Sequence, residues 1–87
     1  MATKAHLSLD GHPRPKEIDQ QISLTVASLF STDAGKEVLR YLKSITIEQV
    51  HGAGVSDAEL RHVEGQRYIV GIIEARIKHA HKVKADE

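Results

Sequence analysis

The chain has 87 residues with one Phe, two Tyr and no Trp, so any core has to be assembled from Ile, Leu and Val. Twelve basic and twelve acidic side chains cancel to zero net charge, which argues against a dedicated nucleic-acid binder, whose affinity comes from neutralising phosphates. Cysteine is absent, which excludes disulfides and thiolate metal sites; a chain this small then relies on a lean helical core, a histidine-bound metal or association, and association is the expectation.

Residues 1–14 contain Gly11 and Pro13 and carry no sustained period, so they read as an extended N-terminal arm. Leu7 and Leu9 alternate with polar residues, the pattern of a short strand or docking segment. Met1-Ala2-Thr3-Lys4-Ala5-His6 lacks the apolar centre of a secretory signal, and no apolar run approaches the roughly 18 residues that a membrane span needs. The expectation is a protein of the cytoplasm, or of a particle built there, without a membrane partner.

Pro15 suits the first position of a helix, where its missing N–H costs nothing. Ile18, Ile22, Val26 and Leu29 follow at spacings of four, four and three, and Glu17 and Asp19 sit where the helix dipole favours negative charge. This predicts a first helix over 15–30, whose middling propensity makes it dependent on packing. Ser31 or Thr32 then caps a second helix, with Val38, Leu39, Leu42 and Ile45 as its stripe. His51-Gly52-Ala53-Gly54-Val55 reads as a turn.

The third helix announces itself. Ser56-Asp57-Ala58-Glu59 is a capping box, followed by a run to Ala80 that would span about 35 Å. Ile69, Val70, Ile72 and Ile73 cover well over half of its circumference, where one buried stripe needs only about three apolar residues per two turns. Such a helix requires more than one neighbour. Ile69, Ile72, Ile73 and Ile77 are therefore the candidate partner interface. Gly65 and Gly71 inside the helix each cost up to about 1 kcal/mol relative to Ala, so they mark a close crossing or a kink. Residues 81–87 form a polar C-terminal tail. The fold class is all-α: a helical domain over 15–80 with one long C-terminal helix and the N-terminal arm.

No arrangement of residues calls for catalysis or a cofactor. His79 and His81 are two apart, on opposite faces of a helix, and no histidine pair has the spacing of a zinc site. Gly52-x-Gly54 and Gly35-Lys36 lack the rest of a phosphate loop. Arg61, Glu64 and Arg67 are spaced by three, and Glu74 and Lys78 by four, which gives a charged stripe worth a few tenths of a kcal/mol per pair. Glu64 and Arg67 read equally well as a solvated pair or an interfacial one. Arg61, Arg67, Arg76, Lys78, Lys82 and Lys84 could form a local basic strip, the one feature that favours a nucleic-acid partner.

Two segments together resemble a known family. Thr32-x-x-Gly35-x-x-Val38-Leu39-x-x-Leu42 and Glu64-Gly65-x-Arg67, the latter followed by the aliphatic run Ile69-Val70-Gly71-Ile72-Ile73, are similar to small helical proteins of tailed bacteriophages. Those proteins are typically encoded among the head and portal genes of short-tailed phages. The resemblance covers about the C-terminal two-thirds of the chain, and it departs at His51-Gly52-Ala53-Gly54, where aromatics would be expected. It implies a non-enzymatic virion or head/tail assembly component without cofactor or metal, whose partners are itself or a larger capsid, portal or tail protein. It carries over Gly35, Glu64, Gly65 and Arg67 as the shared structural signature. The alternative is a small phage regulatory protein that binds a host protein or nucleic acid.

Overall fold

The computed structural model describes residues 6–86; Met1 to Ala5 of the expected arm and Glu87 of the expected tail lie outside the described residues. A two-residue strand β1 (His6–Leu7) pairs antiparallel with β2 (Pro13–Arg14) and is followed by α1 (Lys16–Phe30), α2 (Asp33–Ile45) and α3 (Asp57–Ala85). The fold is all-α apart from this hairpin. Gly11, at the hairpin's tip, has φ +84°, a conformation that glycine adopts without steric cost. The segment read as an extended arm is thus folded from His6 onward, and the alternation at Leu7 and Leu9 was its trace.

The helix boundaries follow local chemistry. Pro15 caps α1 from just outside, and the Thr32 hydroxyl accepts from Gly35 N to open α2. The Ser56 hydroxyl accepts from Glu59 N to open α3, which is the half of the capping box contributed by the serine. The β-branched tail of α2 leaves the helix at Ile45. The long helix corrects one expectation. It continues past Ala80 to Ala85, because Val83 is half-covered by α1 and Lys82 and Lys84 complement the dipole at its end.

α1 runs antiparallel to the C-terminal half of α3, with Asp19 and Ser23 beside Arg76 and His79, and Lys16 and Gln20 beside Lys82 and Val83. α2 turns back to meet the middle of α3 through Leu42, Ile45, Ile69, Val70 and Ile73. At 29 residues, α3 is about twice as long as either neighbour, so its first turns project beyond them.

A second correction concerns α1. Its aliphatic stripe does not face the core: Ile18 and Leu29 are 51% and 60% exposed, and Ile22 and Val26 are half-buried. The face turned to α3 is Asp19, Ser23 and Ala27. The physical reason is Arg76. A buried guanidinium requires a carboxylate and hydroxyls, which α1 carries on its polar side. The buried apolar residues among those described are Ala27, Val70 and Ala80, none of them large.

Candidate functional site

The centre of the molecule is a buried polar network that joins the hairpin, α1 and α3. Arg76 Nη1 donates to Asp19 Oδ1 (2.5 Å), the Asp19 carbonyl (2.9 Å) and Ser23 Oγ (3.0 Å), and Nη2 donates to Ser8 Oγ (3.0 Å). Ser8 Oγ in turn donates to Asp19 Oδ1 at 2.5 Å, and the Leu9 amide adds a longer bond at 3.4 Å. His6 Nε2 lies 3.2 Å from Asp19 Oδ2, and His79 Nδ1 lies 2.6 Å from Ser23 Oγ. Burial pushes the Asp19 carboxyl upward, but the hydrogen bonds from Ser8, Arg76, Leu9 and His6 outweigh it and hold Asp19 well below the usual carboxylate range. Asp10 is lowered as well, first by the His12 amide that donates to it and then, against its desolvation, by Ser8 and Arg14.

This network was legible only in part. Arg76 lies seven residues after Ile69, three after Ile73 and four before Ala80, a charged residue within an apolar face. That was its signal. The exposed basic strip expected to include Arg76 is broken up by the structure, in which Arg76 is 2% exposed. Arg67 is committed elsewhere. Its Nε donates to the Thr46 carbonyl at 3.1 Å, its Nη2 to the Gln49 carbonyl at 2.7 Å, and its Nη1 to Glu64 at 3.0 Å. The carbonyls at and after the end of α2 have no intrahelical partners, so Arg67 ties that turn to α3. Glu74 pairs with Lys43 of α2 at 3.6 Å rather than with Lys78.

The signature residues separate by role. Gly35 packs directly beneath the end of α1: a Cβ there would run into the Leu29 carbonyl oxygen and lie 2.8 Å from Phe30 Cα. Gly65 and Gly71 face open space, with nothing within 4 Å of where a Cβ would stand, so neither marks a close crossing within the chain. Glu64 is exposed and serves Arg67.

Of the candidate interface residues, Ile69 is 61% exposed, while Ile72, Ile73 and Ile77 are half-buried. Ile69 and Ile73 line an open apolar groove of about 270 Å³ with Leu42, Ile45, Thr46 and Val70. Val38 and Tyr41 on α2 are also more than half exposed. His51 and His62 line one open pocket with Glu59 and Val55, and His51 Nε2 is buried without a hydrogen-bond partner. Among the described residues no three His, Asp or Glu side chains are grouped to hold a metal ion, and no helix is long and apolar enough to cross a membrane.

Residues 26–85 match the model of a family described as Bbp19-like phage protein. Neither the curated proteins nor the solved structures contain a match to the chain.

Proposed function

Because the chain belongs to the Bbp19-like phage protein family, we propose that it is a non-enzymatic virion or head/tail assembly component that acts through helix-mediated protein contacts. One observation supports this reading: no Leu, Ile, Phe or Tyr is fully buried among the described residues, while Ile69 and Ile45 stand open at the groove between α2 and α3 and Tyr41 is exposed on α2. Aliphatic surface of this kind is stabilised when a partner removes it from water, at about 25 cal/mol per Å². The partner proposed for the groove is a larger capsid, portal or tail protein, and the protein would reside in the virion after assembly in the host cytoplasm.

The groove is also the surface that a regulatory protein would offer a host target, so location distinguishes the two. The test introduces Ile69→Asp with Ile73→Asp in the phage that encodes this chain and assays purified particles with an antibody. The expected result is that the wild-type protein is found in particles or in stalled assembly intermediates, and the double variant is absent despite an unchanged helical circular dichroism signal. Absence of the wild-type protein from both particles and stalled assembly intermediates would overturn the assembly role.

A further inference from the structure

Where α1 begins and α3 ends, the two helices leave a half-enclosed pocket of about 480 Å³, within the roughly 300–1,000 Å³ of small-molecule sites. Lys16 and Gln20 of α1 line it with His79, Lys82, Val83 and Asp86 at the end of α3. Neither lysine forms an ion pair among the described residues. The imidazole beside them is held from inside the molecule. Ser23 Oγ accepts from Arg76 Nη1 at 3.0 Å, so the hydroxyl hydrogen is left to donate, and His79 Nδ1 lies 2.6 Å away. Nδ1 is then the acceptor, and in the neutral ring the proton sits on Nε2. Ser23 is fully buried and Arg76 is 2% exposed, so water does not compete for this arrangement. Nε2 itself has no partner among the described residues and is not buried. It is a fixed N–H donor left for a group in the pocket.

We propose that this pocket binds a phosphate group, held by the Lys16 and Lys82 ammonium groups, the Gln20 carboxamide N–H and the His79 Nε2–H. The site is separate from the α2–α3 groove and does not rest on the assembly role. Its lining is cationic, two ammonium groups against the single carboxylate of Asp86. Glu17 follows Lys16 in the chain but does not line the pocket. Two features favour phosphate over a carboxylate. The planar fork of arginine matches carboxylates best, and the fold commits Arg14 to Asp10 and Arg76 to Asp19 in that way. What remains for the pocket is lysine, which serves phosphate as a point charge. A phosphate also presents three strong acceptor oxygens to a carboxylate's two, and this pocket supplies donors from four side chains.

The test titrates isotope-labelled protein with inorganic phosphate, followed by NMR at constant ionic strength and about pH 8, where an imidazole is neutral. Saturable shifts should be confined to the signals of Lys16, Gln20, His79 and Lys82 and their neighbours, with a dissociation constant below about 10 mM. Lys16→Gln with Lys82→Gln should weaken binding at least about tenfold, the loss of charge-assisted hydrogen bonds, with an unchanged circular dichroism spectrum. Lys36→Gln on α2 should bind as the wild type does. Long-range nitrogen spectra of His79 should show the proton on Nε2 and a shift of that nitrogen when phosphate is added. A parallel titration with oligothymidylate separates the sources of the group. If the oligonucleotide shifts the same signals at lower concentration than phosphate does, the group belongs to a nucleic-acid backbone. If only inorganic phosphate shifts them, it belongs to a small molecule. The proposal is overturned if neither gives a saturable shift, if the shifts spread over all lysines, or if the double variant binds as tightly as the wild type. Acetate giving the same shifts as phosphate overturns it too. Each of these results leaves the particle-incorporation test of the α2–α3 groove untouched.

Discussion

Arg76 is the costliest side chain in the molecule to bury, and hydrogen-bonding oxygens of Ser8, Asp19 and Ser23 are arranged around it. Removing one partner of a buried pair leaves the other charge uncompensated, at a cost of about 3–5 kcal/mol. Arg76→Ala should therefore lower the urea midpoint sharply, or unfold a domain whose total stability is of order 5–15 kcal/mol. Replacing both partners, as Arg76→Met with Asp19→Leu, should recover most of the loss in the same urea titration. The pair also sets an acid limit. The folded-state pKa of Asp19 is lowered below its ordinary value of 3.8, so its carboxylate stabilises the fold above about pH 4 and that contribution fades as the pH falls below it. The urea midpoint should fall as the pH is lowered from about 5 and go on falling below about pH 3, because the folded-state pKa lies lower still, and Asp19→Asn should flatten this dependence. Gly35 is the other residue without latitude. Gly35→Ala presses a methyl group against the backbone at the end of α1, and overpacking of this kind costs about 1–3 kcal/mol. Thermal melts should show Tm lower by at least about 5 °C.

At the scale of elements, the two glycines inside α3 behave opposite to Gly35. They make no close approach within the chain, so Gly65→Ala and Gly71→Ala should each raise stability, by up to about 1 kcal/mol, through helix propensity alone. Denaturant unfolding of the single variants checks this. A variant that is more stable alone yet excluded from particles would place the glycine under a partner. α1 illustrates how an element can carry two codes. Read by period, 18–22–26–29 is the stripe that seeks apolar contact; read by chemistry, 19–23–27 is the strip that suits Arg76. The second code determined the orientation, because an unpaired buried charge costs more than four partly exposed aliphatics lose.

As a whole, the molecule is spread out rather than compact. Its Cα radius of gyration is 15.9 Å, where a compact domain of this length would have about 12 Å. The thinnest dimension, 16 Å, accommodates little more than one layer of helices. A single layer leaves apolar side chains open to water, as Ile18, Leu29, Tyr41 and Ile69 are here.

The sequence by itself determined the three helices, the turn that carries His51 to Val55, the caps at Thr32 and Ser56, and the excess of aliphatic surface over available cover. Capping and periodicity act over three or four residues, so they can be read locally. Only the tertiary structure decided which face of α1 looks inward, that the N-terminal segment closes as a hairpin over Arg76, and that Arg67 ties α3 to the turn after α2. Those outcomes depend on which buried charge finds which partner, and Asp19 and Arg76 stand 57 positions apart in the chain. The energy of such a pairing belongs to neither residue until the fold brings them together.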